Sequence, residues 1–428
     1  MLAHARRLIG IMLPLGALTG LGVVVALKSL AFLEPGLARG AGKLHLGLWL
    51  PALALLFTAL LLTGTGIGEV SLPRDLDIAR RNPYEAFPLR RSIVKLLACA
   101  LTIGFGGSAG IEGPGKWFGS VLGLQTHRLL KFLSRVHKIN RRLLAPARVI
   151  VMAGAAAALA AVFRAPLTGA LMASEHDGHL HPKAMIPCLV SAASGYLVFS
   201  AFMGLDPLLP VARPYHLQFS GMLWGLLLGL ACGLGATLYL SAQARLIRAL
   251  QVLSLPWRGL LAGLGLVLLA APAHLFWPGV TITQGGGLEL VTHLLRGETL
   301  PTQAILFFAL KLAATALTFA GGGIGGTWLP AVAMGAAIGA GFDGILGLGQ
   351  PGLLTLIGAS AMAGAIHQSL LVPVVFLAET TGQAALVVPA LLATTVAYLL
   401  VQERSQLAGL GAGASAKDPA PPSAPGPG

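Results

Sequence analysis

Glu112 stands alone as an acid in an apolar, glycine-rich segment, GFGGSAGIEGPGKWFG at residues 104–119. Such a composition cannot hold a regular helix, and Pro114 suits the first turn of a helix that starts after the break. A helix that starts there points free backbone N–H groups and its positive dipole end at the break, which favours an anion. A solvated acid beside a basic flank is the structural alternative for Glu112, but an acid within a membrane is functional by default.

The glycine-rich segment has a counterpart 216 residues later. Residues 106–123 and 322–339 match at six of eighteen positions, five glycines and one proline, and the second segment carries Thr327 and Trp328 before Pro330. Two further pairs follow the same order, residues 152–167 with 356–371 and residues 64–70 with 285–291. Three ordered pairs at similar offsets indicate a duplicated architecture. Glycine-interrupted helices in corresponding places of two halves point to a transport site near the middle of a bilayer.

A second group of polar residues follows the first member of the 152–167 pair. Glu175 and His176 are joined by Asp177, His179 and His181 within seven residues. This cluster allows three interpretations: a proton relay, since histidine titrates near neutral pH, a solvated loop, or a metal site. The three cysteines lie at unrelated spacings in apolar stretches, which indicates neither a disulfide framework nor a metal centre.

The composition indicates which kind of secondary structure must position Glu112 and the other polar residues. Of the 428 residues, 55% are hydrophobic and only 10% are charged, where soluble proteins carry about a quarter charged residues. The sequence therefore predicts an all-α polytopic membrane protein with a lipid bilayer as its surroundings. The net charge of +14 fits cytoplasmic loops and anionic lipid, and we expect no nucleic-acid partner because no polar domain is long enough.

The chain divides into a transmembrane domain, residues 1–402, and a Gly/Ala/Pro-rich tail, residues 403–428, predicted to be disordered. Within the domain, two inverted repeats are expected at about residues 46–205 and 217–402. The apolar run at residues 8–33 is too long for a signal peptide and is interpreted as a retained first helix.

Basic clusters on both sides of residues 92–127 place both flanks in the cytoplasm, yet roughly 36 residues are too few for two full spans. Residues 92–127 are therefore predicted to form a broken or re-entrant element.

Taken in order, these motifs resemble the CLC family of chloride channels and proton–chloride antiporters, from about Thr63 to Leu407. The family's G-S-G-I-P motif corresponds to residues 64–68, GTGIG, and its G-[KR]-E-G-P motif to residues 110–114, GIEGP. Its G-x-F-x-P motif corresponds to residues 326–330, GTWLP, and the next helix pair matches around residues 154–167. The chain departs from the family at Thr65, which replaces serine and keeps the hydroxyl, at Gly68, which replaces proline, and at Trp328, which replaces phenylalanine.

The resemblance implies a homodimer with one anion pathway per subunit, and a gating role for Glu112. The gating carboxylate would occupy the outer anion position when ionised and leave it when protonated or displaced. The residues implied to bind the anion are Thr65, Gly66, Ile67, Gly110, Ile111, Gly113, Gly326, Thr327, Trp328, Leu329 and, at the family's late tyrosine, Tyr398. Thr65 has the alternative of satisfying a local backbone carbonyl. The inner proton-transferring glutamate of the antiporters falls on His176, with Glu175 just before it, so the implied proton pathway comprises Glu112, Glu175 and His176.

We therefore expect a chloride transporter of the plasma (inner) membrane, either a proton–chloride antiporter or a passive channel, without a cofactor or metal. Fluoride or another anion is the alternative substrate. An enzyme is disfavoured because no metalloprotease, nucleophile-elbow or phosphate-loop motif occurs at a suitable place. A metal sensor built on the histidine cluster and a cation-coupled transporter are weaker alternatives.

Overall fold

The computed structural model describes residues 8–43, 47–67, 82–136, 145–176, 179–180, 182–211 and 213–413. By length and composition, eight helices in these ranges could cross a membrane, and others are too short to do so. The all-α membrane fold predicted from the composition is confirmed. The one addition among the described residues is a hairpin of two short antiparallel strands, β1 (Glu175–His176) and β2 (His179–Leu180).

The first half of the chain begins with a π-helical turn at Leu8–Met12 and ends before residue 204. It contains single 3-10 and α turns at Gly47–Trp49 and Pro83–Ala86. Its helices are α1 (Leu13–Lys43), α2 (Leu50–Gly64), α3 (Leu89–Gly104), α4 (Glu112–Val136), α5 (Ala147–Phe163), α6 (Pro166–Ser174) and α7 (Pro182–Met203).

The second half repeats this order. Its helices are α8 (Phe219–Leu250), α9 (Leu255–Phe276), α10 (Leu288–Leu294), α11 (Pro301–Ala320), α12 (Trp328–Leu346), α13 (Leu353–His367), α14 (Leu371–Thr381) and, after a 3-10 turn at Ala384–Leu386, α15 (Val387–Gly413). Helices α3 to α7 thus correspond to α11 to α15.

Backbone conformation supports the duplication independently of sequence identity. Among the described residues, Arg164 and Gln368 are the two non-glycine residues with a positive φ, 54° and 49°. They end α5 and α13, and they occupy equivalent places in the 152–167 and 356–371 pair. A left-handed residue at a helix end is costly for a side chain with a Cβ, so its recurrence at equivalent positions marks a repeated helix-to-helix turn.

Glycines let equivalent helices pack backbone to backbone. A Cβ at Gly119 on α4 would overlap the carbonyl of Gly154 on α5, and a Cβ at Gly335 on α12 would overlap the carbonyl of Gly358 on α13. These two contacts are related by the repeat. Small residues at such contacts allow the close approach that drives helix association in a bilayer. The largest buried cluster takes many of its members from α5, α12 and α13, and Trp328 at the second break belongs to it.

The predicted broken element is confirmed, because α3 ends at Gly104 and α4 begins at Glu112. The tail boundary needs a correction. Helix α15 continues to Gly413, so the segment expected to be disordered from residue 403 begins as helix. The sequence QERSQLA at residues 402–408 is made mostly of good helix formers, which lets the helix run past the last apolar turn.

Candidate functional site

The two glycine-rich breaks meet at Gly110 and Gly326. Each donates its backbone N–H to the carbonyl oxygen of the other at 2.8 Å, in an isolated antiparallel bridge. The two residues are equivalent in the repeat, 216 positions apart. An antiparallel bridge between equivalent residues is what a twofold relation between two halves produces, so this bridge lies on the pseudo-twofold axis of the chain.

Glu112 begins α4, and its side chain reaches the first turn of α12. The residue is 3% exposed, and its Oε1 accepts hydrogen bonds from the backbone N–H of Trp328 at 2.8 Å and of Leu329 at 3.3 Å. Trp328 is the repeat equivalent of Glu112, so the carboxylate of one half occupies the amino end of the matching helix in the other half. Hydrogen bonds from free amides and the positive helix end both favour a negative charge at this point.

The carboxylate fits only because glycines surround it. A Cβ on Gly110 would overlap Oε2 of Glu112, and a Cβ on Gly326 would overlap Oε1. Among the described protein groups, Oε2 has no hydrogen-bond partner, although it is buried. The site therefore holds one carboxylate oxygen with two amides and leaves the other without a donor from the described residues.

A third glycine-rich loop, residues 284–287, closes the site from the second half. Gly285 donates its N–H to the carbonyl of Gly107 at 2.9 Å, which ties this loop to the first break. The fully buried Lys311 on α11 donates from Nζ to the carbonyls of Gln284 at 3.0 Å and Gly285 at 2.7 Å. Lys311 also interacts electrostatically with Glu112. Lys311 lies outside the motifs from which the site was predicted, although a lone lysine inside an apolar helix is a recognisable signal.

Aromatic rings support the amino end of α12. The buried Trp328 ring contacts Phe376 with centroids 5.9 Å apart, Phe163 at 6.5 Å and the His367 imidazole at 5.0 Å. His367 Nε2 lies 3.4 Å from the Thr327 hydroxyl. This packing fixes the two amides that bind Glu112. His367 was not among the predicted site residues either.

The segment 65–67 does not offer free donors in this conformation. The Thr65 hydroxyl donates to the carbonyls of Leu61 at 2.7 Å and Leu62 at 3.2 Å, and the amides of residues 65–67 also bond back to the last turn of α2. The alternative stated for Thr65, a local carbonyl partner, is what the structure contains. Gly66 and Ile67 complete this helix end, and Ile67 packs beside Ile324 near the second break. The glycine at position 68 lies outside the described residues.

The remaining predicted residues of the two central motifs lie together. Gly113 contacts the backbone of Gly325 and Gly326, and the carbonyl of Ile111 accepts the N–H of Gly115 in the first turn of α4. The structure thus brings seven of the predicted anion-site residues to one point: Gly110, Ile111, Gly113, Gly326, Thr327, Trp328 and Leu329.

Comparison with known proteins agrees with this geometry. The family model described as "Voltage gated chloride channel" matches residues 63–402. The chain belongs to this family. An uncharacterized protein of Methanocaldococcus jannaschii is 27% identical over 67% of this chain and 67% of its own length. A "Putative chloride channel protein ClcB-like" of Ralstonia nicotianae is 28% identical over 72% of this chain and 71% of its own. The "H(+)/Cl(-) exchange transporter ClcA" of Vibrio cholerae is 26% identical over 72% of this chain and 66% of its own.

Solved structures show the same fold. A slow cyanobacterial Cl-/H+ antiporter superposes with a TM-score of 0.76 at 18% identity, covering 96% of this chain and 99% of that one. A CLC-type fluoride/proton antiporter superposes with a TM-score of 0.74 at 24% identity, covering 93% and 96%. The fold is therefore the inverted-repeat CLC architecture with broken and re-entrant helices, as the sequence predicted.

Of the residues given a role by family resemblance alone, Glu175 is the best defined. It follows α6, and its Oε2 accepts a hydrogen bond from the Ser369 hydroxyl at 2.8 Å. Burial raises the pKa of the Glu175 carboxyl above its usual value, and the Ser369 hydrogen bond opposes that shift. The backbone of His176 pairs with His179 in the β1–β2 hairpin, and the His176 side chain lies outside the described part of the structure.

The structure does not bring Tyr398 to the two breaks through any hydrogen bond among the described residues. It is half-buried on α15, a helix that packs mainly against α8 and α13. The described residues contain no group of three or more potential metal ligands, and the cluster at residues 175–181 lies partly outside them.

Proposed function

We propose that this protein moves chloride across a membrane in exchange for protons, with Glu112 as the gate. The observation that carries this proposal is the Glu112 carboxylate bound to the backbone amides of Trp328 and Leu329. A carboxylate held by two amides at a helix start mimics an anion. The position it occupies is therefore an anion site closed by the protein's own negative group.

The geometry supports a cycle in which chloride and the carboxylate compete for one set of donors. An ionised Glu112 accepts from the amides of α12 and excludes chloride. Protonation removes the negative charge and weakens these hydrogen bonds, which frees the donors for an anion. One proton bound to Glu112 is thus linked to one chloride admitted to the amide site. Gly110 and Gly326 leave room for only one carboxylate at this point, and the buried Lys311 holds the neighbouring 284–287 loop in place.

Glu175 supports the proton arm of the exchange. A carboxyl whose pKa is raised by burial holds its proton at a higher pH than an exposed glutamate, which suits proton transfer nearer to neutrality. We include His176 beside it in the proposed pathway, as the family position of the inner acid implies. Tyr398 stays a proposed anion-binding residue, as the resemblance implies.

The names of the relatives support the substrate and the coupling. One is described as an H(+)/Cl(-) exchange transporter and one solved neighbour as a Cl-/H+ antiporter. We further propose a homodimer in the plasma membrane, as the resemblance implies. Fluoride is the second candidate substrate, since another neighbour is a fluoride/proton antiporter.

Simultaneous recording of chloride efflux and proton uptake from proteoliposomes tests the proposal. We expect wild type to move both ions, and Glu112→Ala to move chloride without protons. Glu298→Gln, a change at an exposed glutamate, should behave as wild type. Fluoride efflux without chloride efflux would show that fluoride, and not chloride, is the substrate. Movement of neither anion would refute the transport assignment.

A further inference from the structure

His367 lies beside the amide site without belonging to any of the three sequence motifs. It is the last residue of α13, where its imidazole packs on Trp328 at 5.0 Å and its Nε2 lies 3.4 Å from the Thr327 hydroxyl. Thr327 and Trp328 begin α12, and the Trp328 amide binds Glu112. A titratable ring is therefore one residue removed from the donor that holds the gate.

The internal repeat supplies a comparison for this histidine. Its equivalent in the first half is Phe163, which also packs near Trp328, at 6.5 Å. Two positions on, Ser369 in the second half corresponds to Ala165 in the first. Packing alone is satisfied by phenylalanine and alanine in the first half, so packing does not account for an imidazole and a hydroxyl in the second.

Ser369 lies between His367 and the second carboxyl of the proposed proton pathway, Glu175. The Ser369 hydroxyl donates to Glu175 at 2.8 Å, and Ser369 follows His367 by two residues around the left-handed turn at Gln368. From Glu175, the sequence of polar groups runs through Ser369 and His367 to Thr327 and the amide that binds Glu112.

From this juxtaposition we propose that His367 is a proton-transferring residue between Glu175 and Glu112. The inference rests on the proposed antiport and adds a residue to it. In the first step, a proton leaves the Glu175 carboxylic acid and binds the imidazole, giving a carboxylate and an imidazolium. In the next step the imidazolium returns to neutral as the proton binds the Glu112 carboxylate. Water molecules carry the proton across gaps longer than a hydrogen bond, and no other reactant is needed.

The charges around His367 act in both directions. The carbonyl end of α13 favours the imidazolium. Burial of the ring, and Lys116 on the first turns of α4, oppose the imidazolium. A neutral imidazole can accept and release a proton within one cycle, whereas a permanently charged group could not.

Two substitutions separate proton transfer from packing. His367→Gln keeps a hydrogen-bonding group for Thr327 but carries no transferable proton near neutral pH. His367→Phe copies the first half and keeps an aromatic ring against Trp328. His216→Gln is the matched control, because His216 is exposed and only its backbone is hydrogen-bonded, to Gln350. Each variant is reconstituted as full-length protein, and chloride efflux and proton uptake are recorded together at several pH values.

Both His367 variants should lose about tenfold or more of proton uptake, with chloride efflux within about twofold of wild type, while the control keeps both. Chloride binding measured by calorimetry should be unchanged in both variants, which excludes misfolding. Unchanged proton uptake in His367→Gln would overturn the proposal. Equal loss of both fluxes with intact chloride binding would also overturn it. Wild-type chloride efflux without proton uptake would refute coupling itself, and the absence of chloride efflux would refute the transport assignment.

Discussion

Replacing Glu112 by alanine should increase chloride affinity, because the carboxylate and chloride compete for the same donors. Two charge-assisted hydrogen bonds, at 2.8 and 3.3 Å, hold the carboxylate. Each contributes about 1.5–3 kcal/mol. Burial of the charged group opposes this by a few kcal/mol. The state with the carboxylate bound to the amides is then favoured by a net ~1–3 kcal/mol over the state with the carboxylate displaced, and chloride must overcome this difference to bind. Removing the competitor then lowers the chloride Kd by about 5- to 150-fold.

Isothermal titration calorimetry on purified protein at pH 7.5 measures this change directly. The difference between wild type and Glu112→Ala should shrink as the pH falls, because protonation of Glu112 in the wild type also releases the donors. Glu298→Gln should retain wild-type affinity at every pH. Equal or weaker chloride binding by a folded Glu112→Ala protein at pH 7.5 would refute competition at this site.

Three further changes test the surroundings of the gate. The methyl group of Gly326→Ala would overlap the Glu112 carboxylate and should expel it, so the variant should bind chloride as tightly as Glu112→Ala does, independently of pH. Gly104→Ala is the control, because its methyl group meets open space, and it should bind chloride as wild type does in the same titration. Lys311→Met leaves two buried carbonyls without their donor and should destabilise the protein by about 1–3 kcal/mol for each, seen as a lower melting temperature; an unchanged melting temperature would contradict the role given to Lys311. Ser369→Ala removes the hydrogen bond that lowers the Glu175 pKa, so the pH at which proton uptake declines should rise; a shift to lower pH would contradict that sign.

The two breaks could be predicted from sequence because glycine and proline both interrupt a helix locally. The pairing of Glu112 with the equivalent position 328 needed only the offset and the twofold relation, which the repeated GxxxP pattern carries. The same reasoning could not predict the hydrogen-bond partner of the Thr65 hydroxyl. Its hydroxyl has an intrahelical partner at the end of α2, and the choice between a carbonyl and an ion depends on the exact end of that helix.

Lys311 and His367 were missed for a different reason. Each is the one ionisable residue of a mostly apolar helix, and neither lies in the three motifs that carry the resemblance. Their importance comes from contacts over long sequence distances, with the 284–287 loop and with the start of α12. A lone ionisable residue within an apolar helix was the available signal. The end of α15 was misplaced because composition marks where apolar burial stops and not where helix propensity does.

Anomalous X-ray diffraction from Glu112→Ala crystals grown in bromide tests the central claim most directly. Bromide is a chloride substitute whose position can be read from its own scattering. The account predicts an anomalous peak within hydrogen-bonding distance of the Trp328 and Leu329 amides, where the carboxylate oxygen lies in the wild-type protein. A mutant structure with these amides still ordered, and with bromide bound elsewhere or not at all, would contradict the account.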